Sequence, residues 1–64
     1  MKIIAWQYED GIYKFIYENP SGYLDVVLCE NYGGLADFLN YSGATMLDKK
    51  VDIWSYLKDL KTSA

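Results

Sequence analysis

The stretch WQYEDGIYKFIY, residues 6–17, decides the fold because it places five aromatic residues around a single Asp-Gly pair. Asp10-Gly11 is typical of a two-residue type I′ turn, whose two central positions both need a positive φ. Gly adopts that conformation freely and Asp tolerates it. The alternation of apolar and polar residues around the turn predicts antiparallel strands over residues 2–9 and 12–18.

The two-residue turn also sets which residues of the two strands lie opposite each other. It predicts three apolar pairs on one face of the hairpin, which we call the ladder face: Tyr8–Tyr13, Trp6–Phe15 and Ile4–Tyr17. Side chains alternate between the two faces along a strand, so these rings and Ile4 share one side. Each such cross-strand pair contributes about 0.2–1 kcal/mol. The ladder face is therefore predicted to form the core.

A third strand is predicted at residues 23–30, after the turn residues Asn19-Pro20-Ser21-Gly22. A four-residue loop would put Leu24, Val26 and Leu28 on the ladder face, and this register is preferred because it buries them in place of Asp25. A three-residue loop with a bulge would slip the pairing by one residue and turn the third strand over.

Two helices are predicted after the strands. The first covers LADFLNYSG, residues 35–43, with Leu35, Phe38 and Leu39 on one side. The second runs from about residue 53 to 61, with Asp52 as its N-cap. Residues 44–50 are predicted to be irregular, with Met46 and Leu47 either docking into the core or adding a short strand.

The predicted order β-β-β-α-α indicates an α+β fold that forms one domain over residues 1–64. A three-stranded antiparallel meander cannot bury its apolar face alone, so both C-terminal helices are expected to pack on the ladder face. The expected core is a single cluster between sheet and helices: Trp6, Phe15, Val26, Leu28, Phe38, Trp54 and Leu57.

Composition argues against several classes of function. The net charge is −3, with six Lys, no Arg and no His, so binding to duplex nucleic acid is not expected. Cys29 is the single cysteine, and with no His the chain lacks the clusters that zinc sites and nucleophilic triads use. We therefore expect no catalytic residues, no metal and no cofactor, and a protein that is not an enzyme. The opening residues lack the apolar run of a signal peptide, so a cytoplasmic location without a membrane is expected.

The face of the sheet that points away from the ladder, here the opposite face, mixes aliphatic and charged side chains. Exposed apolar surface with charged neighbours is typical of an interface. The residues predicted to bind a protein combine this face with acidic groups at the hairpin tip and strand ends: Ile3, Ala5, Ile12, Ile16, Tyr23, Val27, Glu9, Asp10, Glu18 and Asp25.

These features favour a small acidic protein-binding module whose partner has a basic surface. Compact, mildly acidic domains are frequent among phage and mobile-element products. The expected role is therefore an inhibitor that binds and blocks a host protein, such as a nucleic-acid-processing enzyme, in the host cytoplasm. One alternative is a structural or regulatory subunit that self-associates, for example as a homodimer. Another is a single-stranded nucleic-acid binder that stacks bases on the sheet aromatics.

Overall fold

The structure, a computed structural model, describes residues 2–62 and has an α+β fold with a four-stranded mixed sheet and two helices in that part of the chain. The elements in chain order are β1 (Lys2–Glu9), β2 (Ile12–Glu18), β3 (Leu24–Glu30), α1 (Leu35–Tyr41), β4 (Thr45–Met46) and α2 (Ile53–Thr62). The strands lie in the order β3-β2-β1-β4. The first three strands are the predicted antiparallel meander, and β4 is an additional edge strand.

The β1–β2 hairpin confirms the Asp-Gly prediction. Asp10 and Gly11 have φ values of 52° and 82°, and Trp6 lies opposite Phe15 as expected. The pairing changes nearer the start of β1, where an irregularity between Ile3 and Ala5 puts Ile3 opposite Tyr17. Ile3, and not the predicted Ile4, therefore lies on the ladder face.

The predicted register of β3 is wrong, and the alternative with a slip of one residue is observed. Phe15 lies opposite Val27, and Tyr17 lies opposite Asp25. The cause is the loop: the Asn19 amide donates to the carbonyl of Tyr23 at 2.9 Å, which leaves only three residues between them. Gly22 closes this loop with a φ of 89°, a conformation that glycine adopts without a steric penalty.

The slip turns β3 over and moves Leu24, Val26 and Leu28, which were expected on the ladder face, to the opposite face. Val27 and Cys29 now pack on the ladder face, whereas Leu24 and Val26 pack on the other side. Burying these aliphatics on the ladder face was the reason for preferring the other register. That reason fails because the opposite face is also covered.

The prediction that both helices pack on one face is wrong, because α1 and α2 cover different faces. On the ladder face, Leu35 and Leu39 of α1 form one cluster with sheet residues Ile3, Trp6, Tyr13 and Phe15. On the opposite face, Ile53 and Leu57 of α2 form a second cluster with Ala5, Ile16 and Leu47. The chain leaves β3 at one edge, passes across the ladder face as α1, reaches β4 at the other edge and returns as α2.

The core therefore consists of two clusters, one on each face of the sheet, and the predicted single cluster is wrong. Trp6 and Phe15 lie in the first cluster, while Leu57 lies in the second and Val26 packs against it. Three members of the predicted cluster are exposed: Leu28, Phe38 and Trp54.

The segment before α2 is attached to β1 by backbone and side-chain hydrogen bonds. β4 pairs in parallel with β1, and the Leu47 amide donates to the carbonyl of Trp6 at 2.7 Å. The Gln7 side-chain amide donates to the carbonyls of Asp48 at 3.1 Å and Val51 at 2.9 Å. These contacts position the start of α2.

Asp52 caps α2 as predicted. Its carboxylate accepts a hydrogen bond from the Trp54 amide at 3.0 Å and another from the Ser55 hydroxyl at 3.2 Å. A carboxylate here satisfies an amide that has no partner within the helix. The helix therefore begins at the predicted residue, although it packs on the opposite face of the sheet and not on the ladder face.

Candidate protein-binding surface

The opposite face, where the sequence predicts an interaction surface, is largely interior. Ala5 and Ile16 have no exposed surface because α2 packs over them. Ile3 is also buried, since the irregularity in β1 turns it toward the ladder face and α1. The expectation that these three residues are exposed to solvent is therefore wrong.

The other predicted site residues are spread over the two ends of the sheet. Glu9 and Asp10 are exposed at the β1–β2 turn, and Ile12 beside them is half-buried. Glu18, Tyr23 and Asp25 lie around the β2–β3 loop, at the far end of β2, with Tyr23 and Asp25 exposed. Val27 is half-buried against the ladder-face cluster. The structure does not bring these residues together into one patch.

A different set of apolar side chains is exposed. Within residues 2–62, seven large ones expose at least half of their surface to solvent: Tyr23, Leu28, Tyr32, Phe38, Tyr41, Met46 and Trp54. Phe38 and Trp54 were missed as surface residues because the helical period placed them in a shared core beneath one face. The two clusters that form instead need only two buried residues from each helix.

Two of these exposed rings lie close together on α1. Leu35 and Leu39 point into the core, while Phe38 is 50% exposed and Tyr41 is 90% exposed. Residues three apart are neighbours on a helix surface, so the two rings share one side of α1. We call Phe38, Tyr41 and the exposed Asp37 the α1 ring surface. The sequence could have indicated these exposed rings, because α1 has more apolar residues than its core-facing side can bury.

The α1 ring surface carries a negative charge. Asp37 is the only charged residue of α1, which has no Lys or Arg. The whole chain has a net charge of −3. A partner that covers the two rings would therefore meet a negative field, which favours a basic contact surface.

The described part of the chain offers no enclosed site. Residues 2–62 form no pocket, and none of their His, Cys, Asp and Glu side chains gather in a group of three or more that could hold a metal ion. Within the same residues, neither helix has the length and apolar character needed to cross a membrane.

Comparison with known proteins gives no match to this chain among protein-family models, curated proteins or solved structures.

Proposed function

We propose that the protein is a small acidic protein-binding module that acts by binding and not by catalysis, and that the α1 ring surface is its contact site. The observation that carries the proposal is the exposure of Phe38 and Tyr41 side by side on a helix whose inward side is already filled by Leu35 and Leu39. Neither ring is needed to close the core. Exposed rings of this kind are enriched at protein interfaces.

The proposed partner is a protein with a basic surface. Acidic groups steer association with such a surface, and Asp37 beside the two rings supplies a charge at the contact itself. The groove in which an enzyme holds nucleic acid is basic, so an acidic module that covers it would block its substrate. Inhibition of a host nucleic-acid-processing enzyme, in the manner of a phage or mobile-element product in the host cytoplasm, is the role that fits this chemistry.

The test is capture of a partner by tagged protein from a lysate of the cell in which it is made. Wild-type protein is compared with a double variant, Phe38→Ser and Tyr41→Ser, and circular dichroism first confirms that the variant is folded. We expect the wild type to retain a specific polypeptide that is lost with the variant. Retention should also fall as salt is raised, because the charge contribution is screened.

The matched control is Trp54→Ser, which removes an exposed ring from α2. The control should retain the same polypeptide as the wild type. Retention that is unchanged in the α1 double variant, or lost equally in the Trp54 control, would contradict the α1 ring surface as the contact site.

The structure supports the two alternative functions, base stacking and self-association, to different degrees. Base stacking on the sheet aromatics has less support, because Trp6, Tyr13 and Phe15 are buried under α1 and Tyr8 is the more exposed ring of the ladder face. Self-association is supported by a specific observation, the outer edge of β3, which no strand of residues 2–62 pairs.

A further inference from the structure

The outer edge of β3 has backbone groups that no strand pairs within residues 2–62, because β3 ends the sheet and its one neighbour is β2. In an antiparallel ladder, residues alternate between those that bond to the neighbour and those that point away from it. The Asn31 amide donates to the carbonyl of Gly11, and the Asn19 amide donates to that of Tyr23. Both pairs belong to the β2–β3 register, so the odd-numbered residues of β3 bond inward.

The even-numbered residues of β3 therefore direct their amides and carbonyls to the open edge: Leu24, Val26, Leu28 and Glu30. A side-chain contact agrees with this assignment. The carboxylate of Asp25 accepts a hydrogen bond at 2.9 Å from the Val26 amide, which is free to make it only because it does not bond to β2. The edge thus presents a regular series of donors and acceptors to an added strand.

We propose that β3 pairs with β3 of a second copy of this chain, antiparallel and about a two-fold axis at Val27. Outward-directed residues must pair with outward-directed residues, so the register places Val26 opposite Leu28, and Leu24 opposite Glu30, of the second copy. Asp25 then lies opposite Cys29. This is the register that overlaps all seven residues of β3, since a two-fold at Val26 or at Leu28 leaves two residues of each strand unpaired.

Side-chain chemistry favours a second copy as the occupant. Like charges directly opposite each other destabilise a strand pair. In this register neither Asp25 nor Glu30 faces another carboxylate. Leu28, whose side chain is 56% exposed, would be covered by Val26 of the second copy. Pairing also replaces the bond between Asp25 and the Val26 amide with a bond to a carbonyl.

The association should be weak. One strand and its adjacent side chains bury less than the ~1,200 Å² at which stable interfaces begin. Each copy also carries a net charge of −3, and the two repel each other. We therefore expect monomer at micromolar concentration and dimer as the concentration approaches millimolar.

The first test is cross-linking of purified full-length protein at high concentration. In a Val27→Cys, Cys29→Ala variant, the two-fold places residue 27 opposite itself. A pair that does not exchange backbone hydrogen bonds has its Cα atoms about 4.5 Å apart, which a disulfide can bridge. We expect mild oxidation to convert most of this variant to a covalent dimer on a non-reducing gel.

The control variant is Leu28→Cys, Cys29→Ala, whose thiols lie on the other face and are offset by two residues in the proposed register. It should stay largely monomeric, as should the wild type, in which Cys29 lies opposite Asp25. Equal cross-linking of the two variants, or none in either, would overturn the proposed pairing.

The second test uses the unmodified protein and does not depend on how the variants fold. Hydrogen exchange at single amides is followed by NMR between micromolar and millimolar protein. Exchange at Val26 and Leu28 should slow several-fold at high concentration, while exchange at Val27, already bonded to β2, should stay constant. Rates at Val26 and Leu28 that do not change with concentration would overturn the proposal, including the case of a dimer that forms through α1. The proposal is independent of the α1 ring surface, because the two sets of tests change different residues.

Discussion

At the scale of single residues, Gln7 shows how one polar side chain fixes the arrangement of a larger segment. It is 3% exposed, and both of its hydrogen bonds go to backbone carbonyls of the segment before α2. A buried amide is tolerated only when it is hydrogen-bonded. The sequence placed Gln7 on a face expected to be open to solvent, so this role could not be recognised before the position of α2 was known.

Replacing Gln7 with an apolar residue of similar size should destabilise the fold. Gln7→Met removes both donors, so the Val51 carbonyl loses its bond to Gln7 and the Asp48 carbonyl keeps only the bond from the Val51 amide. We expect the free energy of unfolding to fall by about 1–3 kcal/mol in urea denaturation. Glu9→Met, at an exposed position of the same strand, should change it by less than about 0.5 kcal/mol. Equal effects of the two substitutions would argue against the bonds to the 48–51 segment.

Gly22 tests the loop that determines the register of β3. A Cβ at this position would meet no atom within 4 Å, so an effect of Gly22→Ala must come from its φ of 89°. A left-handed conformation costs a residue with a side chain about 1–2 kcal/mol, and we expect that loss in thermal or urea denaturation. Gly33→Ala, also in open space but without a positive φ, is the control and should be nearly neutral. A neutral Gly22→Ala would contradict the three-residue loop.

At the scale of elements, consecutive residues of β2 belong to different clusters, as Ala5 and Trp6 of β1 also do. Phe15 packs under α1, and Ile16 packs under α2. Strands buried on both faces are ordinarily found in parallel sheets between two layers of helices. Here a small antiparallel meander reaches the same state, because one short helix lies on each side.

This arrangement predicts that consecutive substitutions in β2 are both severe. Phe15→Ala should cost about 3–5 kcal/mol and Ile16→Ala about 2–5 kcal/mol. Ile16→Lys should fail to fold, because it places an unpaired charge in the core. Leu28→Ala, at an exposed position of β3, is the control and should change stability by about 0.5 kcal/mol or less. Circular dichroism during urea denaturation measures all four. A stable, folded Ile16→Lys variant would show that α2 does not cover this face.

Local chemistry explains which parts of the fold were predictable. Asp10-Gly11 has one strongly favoured turn, so the hairpin, its register near the turn and the two ladder pairs closest to it, Tyr8–Tyr13 and Trp6–Phe15, followed from the sequence, whereas the pairing of Tyr17 with Ile3 did not. Asp52 likewise marks the start of α2. The register of β3 depended on one residue of loop length, and both choices gave an apolar face. The side on which each helix packs is set by the path of the chain after β3, and no local residue encodes it. The α1 ring surface could be found only after that path was known.

At the scale of the whole molecule, charge is the clearest constraint on partners. Six Lys and nine acidic residues give a net charge of −3. The affinity of proteins for duplex DNA comes largely from cations that displace counterions from the phosphates. Neither the α1 ring surface nor β3 contains a Lys or Arg. This charge distribution supports the proposed basic protein partner over a nucleic acid.

We expect no binding to duplex DNA tighter than about 1 µM at ~0.15 M salt, because too few cations are available to release counterions. Fluorescence anisotropy of a labelled duplex measures this, and a basic DNA-binding protein serves as the positive control. A submicromolar affinity of pure protein at that salt would defeat the proposal of an acidic protein-binding module.

The attachment of the 48–51 segment to β1 affects the order in which the elements of the chain fold. The two hydrogen bonds of the Gln7 side chain connect residues separated in sequence by 41 and 44 positions. The two hairpins, in contrast, close over loops of two and three residues. Distant contacts require more chain to be ordered before they form. We therefore expect the meander to form first and α2 to dock last. Until α2 docks, Ala5 and Ile16 are exposed to solvent. A newly made chain is therefore most prone to aggregate during that interval.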